Sequence, residues 1–156
     1  RLGDIQCMLF KPTEKATAWI ESGALWVIQG KTGAKVAIDL SLKLNPFYFM
    51  SVGDVVNRCR DDVVSRHLIH HTKRRTMSSP GDPVHENTIS KGFKRARELA
   101  GITGANPPTF HEIRSLSKRL YDAQGGVDTK KLLGHSTERM SAMYADSRGA
   151  EWLRVG

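Results

Sequence analysis

Cysteine is scarce: Cys7 and Cys59 are the only two, and neither belongs to a C-x-x-C pair. A disulfide framework is therefore excluded, and two reduced, partly buried thiols in a cytosolic protein are expected. Long apolar runs are missing too. No stretch approaches the roughly 20 apolar residues of a membrane span, and no signal peptide is read at the N-terminus. Internal repeats, low-complexity tracts and heptads are absent. Gly30-Lys31-Thr32-Gly33 lacks the spacing of a Walker phosphate loop, and neither G-x-S-x-G nor H-E-x-x-H occurs. Acidic residues are the scarcer charge, with 16 Asp plus Glu against 24 Lys plus Arg and a net charge of +8. That balance favours a polyanionic partner. No segment joins a strong basic face to exposed aromatic anchors, which argues against a membrane-surface helix. At 156 residues the chain suits one domain with a real core. It opens on Arg1 rather than Met, so a fragment or a processed chain is expected.

Taken in order, residues 1–10 carry apolar side chains at Leu2, Ile5, Met8 and Leu9, a helical spacing that Pro12 breaks. Residues 16–40 change period. A-W-I-E, a Ser22-Gly23 turn, A-L-W-V-I-Q, a Gly30–Gly33 turn and K-V-A-I-D-L read as three antiparallel strands. Lys31 lies at the tip of the second turn, either as a solvated lysine or as a mobile cation delivered into a groove. Phe47, Tyr48 and Phe49 are expected to plug the core. Residues 52–65 read as a helix with Cys59 near its buried side. His67, His70 and His71 have a spacing that suits a metal, but the segment lies beside basic residues with no acidic or Cys ligand nearby in sequence. No metal is expected there.

Lys73, Arg74 and Arg75 form a positive cluster in a Pro/Gly/Ser-rich loop, either solvated or touching phosphates. Asn87 is expected to cap a helix over 88–100. Ile89, Phe93, Ala96 and Ala100 form its apolar face, and Lys91, Lys94, Arg95 and Arg97 spread over the rest. DNA-backbone contact and a plain solvated face fit this helix equally. Thr109-x-x-Glu112 is a capping box that places a second helix start, and Gly125-Gly126 ends that helix. Asp128 or Thr129 starts a short helix that stops at Gly134, and Ser136 caps the next. Residues 151–155 suit a short strand.

The richest stretch is 107–144, which holds His111, Arg114, His135 and Tyr144. Arg presents a planar fork of donors that matches phosphate oxygens. His donates to a phosphate oxygen or moves a proton near neutral pH. Tyr can attack phosphorus and hold a covalent intermediate. His111 and Arg114 are three apart at a helix start, so both project toward one point, where the helix N-terminus favours an anion. His135 and Tyr144 are nine apart, two and a half turns of helix, and would face opposite ways on one straight helix. They converge only if His135 lies in a break after Gly134.

These pieces resemble the catalytic domain of tyrosine recombinases, most closely the integrases of lambda-like phages. The family pattern is R-x-x-E/D, a hairpin Lys, H-x-x-R, L-G-H and a Tyr nine residues after that His. Here it reads Arg1-Leu2-Gly3-Asp4, Lys31 in K-T-G, His111-Glu112-Ile113-Arg114, Leu133-Gly134-His135 and Tyr144. The resemblance covers essentially the whole chain, through R-A-R at 95–97, P-P-T-F-H-E, R-S-L-S and R-G-x-E-W. It implies an α+β fold, mainly helical, with a small three-stranded antiparallel sheet, residues 1–156 forming the catalytic domain. It implies that helices and a core-DNA-binding domain would precede Arg1.

It further implies cleavage and rejoining of DNA without cofactor or metal. Tyr144 would be the nucleophile, Arg1 and Arg114 the phosphate clamp, His135 a further donor, His111 a proton acceptor and Lys31 the general acid. Asp4 and Glu112 would brace the site. Expected partners are double-stranded DNA at attachment sites, a homo-tetramer on that DNA, accessory DNA-bending proteins and an excisionase, in the cytoplasm of a bacterial host. The C-terminal tail, with Trp152, would pack on a neighbouring protomer. DNA-backbone contacts fall to Lys73, Arg74, Arg75, Lys91, Lys94 and Arg95. The rival readings are strand cleavage of the type IB topoisomerase kind, and an inactive DNA-binding remnant of an integrase.

Overall fold

The computed structural model describes residues 1–45, 49–134 and 153–155. The places expected for Phe47, Tyr48, His135, Tyr144, Trp152 and the helix after Ser136 lie outside them. A five-stranded sheet forms the frame, in the order β1 (Met8–Leu9), β2 (Ala18–Glu21), β3 (Ala24–Ile28), β4 (Lys35–Asp39) and β5 (Leu153–Val155). The middle three strands are antiparallel, as their alternation predicts. Ser22 and Gly23 both take positive φ, 48° and 77°, as a tight hairpin with a right-handed twist requires.

The expected three-stranded sheet is too small. β1 pairs in parallel with β2, and β5 pairs in parallel with β4 of the same chain. Two-residue β1 has no period of its own, so Met8 and Leu9 read as the end of a helix. In fact α1 (Leu2–Gln6) stops before them. β1 is also held from outside the sheet, where Phe10 N–H donates to the Arg66 carbonyl and Leu68 N–H to that of Met8.

One sheet face builds the core. Ala18, Leu25 and Val27 are buried there, with Met8, Ile20, Ile38 and Leu40 packed against them. The other face carries Trp19 and Trp26, stacked with ring centroids 6.4 Å apart. The Trp26 indole donates to the Glu21 carbonyl and that of Trp19 to the Glu21 carboxylate.

Among the described residues the fold is not mainly helical, contrary to expectation. Only α3 (Glu86–Leu99) and α4 (Glu112–Gln124) exceed the seven residues of α2 (Val52–Arg58), and α5 (Thr129–Leu133) is a single turn or so. α2 starts on a full capping box, Ser51 with Asp54. It ends at Cys59 and does not run on to residue 65. Asp61 takes the Val63 N–H at 2.9 Å, so the local side chain offers the backbone an alternative to helix. α3 begins two residues earlier than expected, because the His85 ring accepts from Asn87 N–H and serves as the cap. Phe49 is 95 % exposed, so it does not plug the core.

The acid missing beside the histidines in sequence arrives through the fold. His70 Nε2 lies 3.1 Å from Asp61 Oδ1, and His70 Nδ1 lies 2.9 Å from the His67 carbonyl. Both ring nitrogens thus face acceptors, which suits the doubly protonated ring. Among the described residues no three metal-ligating side chains converge. Burial disfavours the charged His70, but Asp61 and the His67 carbonyl outweigh it, and its pKa lies above the ordinary imidazole value.

The sign follows from proton linkage. A raised folded pKa gives stability that is complete below the unfolded value and is lost as pH rises through the folded one. Between about pH 6 and pH 8 the chain should therefore lose thermal stability relative to His70→Gln. Parallel melting-temperature profiles for the two proteins would remove the Asp61–His70 pair from the stability account.

Candidate active site

The candidate residues come from four segments far apart in sequence. α1 brings Arg1 to its start. The β3–β4 hairpin carries Lys31. α4 begins just after His111 and holds Arg114 in its first turn. α5 ends at Leu133. Arg1, His111, Arg114, Tyr121, Leu132 and Leu133 share one open cleft, with Leu2, Ile5 and Ile38 on its apolar wall.

The start of α4 is set by Glu112. Its carboxylate accepts from the Thr109 N–H at 2.7 Å and from the Thr109 hydroxyl. The Thr109 hydroxyl is the main reason the Glu112 carboxyl lies below its ordinary pKa. Only this half of the expected capping box forms. The helix begins at Glu112, after a tight turn in which Arg114 N–H bonds back to the His111 carbonyl. His111 therefore stands at the lip of the helix and is exposed. Upstream, Arg97 turns inward, and its Nη1 donates to the Pro108 carbonyl at 2.6 Å. Expected among the outward basic residues of α3, it instead fastens the Pro107-Pro108 segment that leads into His111.

Arg114 is half-buried, and its Nη2 donates to the Leu133 carbonyl. Burial, then the neighbouring positive charge of Arg1, push its pKa below the ordinary value, while Asp4 acts the other way. Asp4, which also pairs with the Arg1 terminus at 3.7 Å, thus offsets part of the repulsion between the positive groups. Tyr121 shares the cleft, but burial pushes its phenol pKa up, which suits a wall residue.

Lys31 is exposed at the turn tip and does not line the cleft. Two contacts aim its turn. Asp4 Oδ1 accepts the Gly30 N–H at 3.0 Å, so the acid three residues after Arg1 ties α1 to the hairpin. Gln29 is buried, with its Nε2 donating to the Leu133 carbonyl at 3.1 Å and its Oε1 accepting from the Thr32 hydroxyl at 3.0 Å. The reading of the residues missed Gln29, yet a signal was there. It follows Leu25 and Val27 at period two, which puts a carboxamide on the core face, and buried polar groups find partners.

α5 matches expectation. Asp128 caps it by accepting Lys131 N–H, and Gly134 ends it in the left-handed region at φ 61°. A Cβ at Gly134 would come within 2.6 Å of Gln29 Nε2. His135 and Tyr144 follow this corner, outside the described residues. Lys73, Arg74, Arg75, Lys91, Lys94 and Arg95 are exposed, and Lys94 reaches Glu98 at 3.9 Å.

Two arginines and a histidine line one cleft of a strongly basic α+β chain, side chains of the kind whose donors suit a phosphate group. The Phage integrase family profile matches residues 14–151, and the chain belongs to that family. It is 46% identical over 157 aligned residues to the prophage integrase IntE of Escherichia coli strain K12, covering 99% of this chain and 40% of that one. It is 42% identical to the integrase of Enterobacteria phage P21, covering 99% of this chain and 39% of that protein. The chain thus spans about two fifths of the length of these relatives. The fold is similar to the lambda integrase catalytic core, with a TM-score of 0.70 at 34% identity over 87% of this chain and 75% of that one.

Gly134→Ala combines left-handed backbone with a collision and should destabilise by more than about 2 kcal/mol. Adding Gln29→Ala removes the collision partner, so the two losses should add to less than their sum in a denaturant double-mutant cycle. Full additivity would show that the corner and the carboxamide do not press on each other.

Proposed function

We propose that this chain supplies the strand-cleaving and rejoining centre of a site-specific DNA recombinase, a phage or prophage integrase. One observation carries the reading: Arg1, His111 and Arg114 share one cleft, and Arg114 is tied to the Leu133 carbonyl, one residue from the Gly134-His135 step. On this reading a phosphodiester of double-stranded DNA enters between the guanidinium groups. They bind its non-bridging oxygens and stabilise the charge that grows in the pentavalent transition state. His135 donates a further hydrogen bond to the same oxygens.

Tyr144 Oη attacks phosphorus and passes its proton to His111. The P–O5′ bond breaks, and Lys31 gives the leaving oxygen its proton. The products are a 3′-phosphotyrosyl link and a free 5′-hydroxyl. Rejoining runs the same steps in reverse with a 5′-hydroxyl as nucleophile, so the ester bond energy is conserved and ATP is not consumed. Exposed Lys73, Arg74, Arg75, Lys91, Lys94 and Arg95 suit backbone contacts beyond the scissile phosphate.

A lambda integrase tetramer bound to a Holliday junction and a lambda integrase dimer bound to a COC′ core site share this fold, with TM-scores of 0.71 each and 33% and 35% identity. They support core-site DNA as substrate and a homo-tetramer as the working form; the bacterial cytoplasm is the proposed place of action. Accessory DNA-bending proteins and an excisionase complete the proposed assembly.

The natural full-length protein should form a covalent adduct on a nicked suicide duplex. Tyr144→Phe should abolish the adduct, and Arg114→Ala should slow its formation by about 100-fold or more. EDTA should leave the rate unchanged. An adduct that persists in Tyr144→Phe would remove Tyr144 as nucleophile, and loss of cleavage in EDTA would favour a metal-dependent nuclease.

A further inference from the structure

Lys31 presents a problem of placement. It is exposed, on a turn, and outside the cleft, yet a general acid must meet the leaving oxygen within hydrogen-bond reach. Something must fix the turn relative to the phosphate site. The backbone of Gln29 closes the base of this turn, its carbonyl accepting from Gly33 N–H at 2.7 Å and from Thr32 N–H at 3.2 Å. Its side chain does two further things at once. The Oε1 atom takes the Thr32 hydroxyl, beside Lys31, and the Nε2 atom takes the Leu133 carbonyl. That carbonyl also receives Arg114. The carboxamide is thus a rigid bridge from the residue next to Lys31 to the residue that anchors Arg114.

We infer that Gln29 is a positioning residue that sets the reach of Lys31 to the leaving oxygen. The inference rests on the recombinase reading above and assigns Gln29 a role through Lys31. Gly134 contributes by leaving room, since any Cβ there would displace the carboxamide. A short polar bridge suits this task better than an apolar contact, because its two bonds fix direction as well as distance.

The test separates proton delivery from general integrity. A duplex with sulfur in place of the scissile 5′-oxygen has a leaving group that needs no general acid. The full-length protein, Lys31→Ala, Gln29→Leu and Thr32→Val are compared on oxygen and sulfur substrates, with Tyr144→Phe as the blank. Thr32 is exposed, so Thr32→Val keeps the fold testable even where Gln29→Leu fails to fold. On the oxygen substrate Gln29→Leu should lose about 10- to 100-fold in cleavage rate, with a smaller loss for Thr32→Val. On the sulfur substrate both variants, and Lys31→Ala, should return to within about threefold of the unaltered protein. Equal loss on both substrates, or no loss on oxygen, overturns the role of Gln29. If Lys31→Ala stays slow on sulfur, Lys31 is not the acid and the inference falls with that assignment. Failure of the unaltered protein to form any Tyr144 adduct is a separate outcome, and it refutes the recombinase reading itself.

Discussion

The Leu133 carbonyl is the joint on which the cleft depends. It lies at the C-terminal end of α5, where helix carbonyls have no partner inside the helix and carry partial negative charge. Arg114 and Gln29 both donate to it. A hydrogen bond from a charged donor contributes about 1.5 to 3 kcal/mol, so the guanidinium supplies much of the tie. Gly134 then turns the chain in the left-handed region and leaves space for the carboxamide. Helix end, cation and hairpin are thereby assembled at a single oxygen atom.

The rest of the frame is lightly packed, which raises the importance of such polar ties. Val36 is the largest fully buried side chain among the described residues. α3 and α4 contain no buried residue, and Ile113 and Leu116 of α4 remain exposed. Directional contacts between distant segments do the placing instead. Asp4 holds Gly30, Gln6 holds Glu86 N–H at 3.0 Å, Arg97 holds Pro108, and Gln124 bonds Asn45 N–H at 2.8 Å. Each joins two separate parts of the chain. Arg1 and Arg114 line the same cleft, and the Asp4 carboxylate offsets part of the charge that gathers there.

What could be read from the residues was whatever a local rule controls. The β2–β4 meander followed from alternation and turn residues. The caps at Asp128, Gly125 and Gly134 followed from short polar and glycine signals. The ordered motifs already resembled the family to which the chain belongs. What escaped depended on partners far along the chain. β1 is a strand only because β2 offers it an edge, and the short strand expected within 151–155 did not reveal that β4 would be its partner. Asp61 ended α2 early by capturing a backbone N–H, a choice that apolar spacing does not encode. Arg97 looked like one more outward cation until the Pro107-Pro108 carbonyls gave it an inward use. Gln29 was legible in principle, as a polar side chain on a core face, but the identity of its acceptor was not.

On the proposed function, this cleft presents a DNA phosphate to Tyr144. Mapping the covalent adduct tests it most directly. The full-length protein is trapped on a nicked duplex, digested with trypsin, and the DNA-linked peptide is sequenced by mass spectrometry. The account predicts a single linkage at Tyr144 through the 3′-phosphate of the cleaved strand. A linkage at another residue, or through a 5′-phosphate, would contradict it.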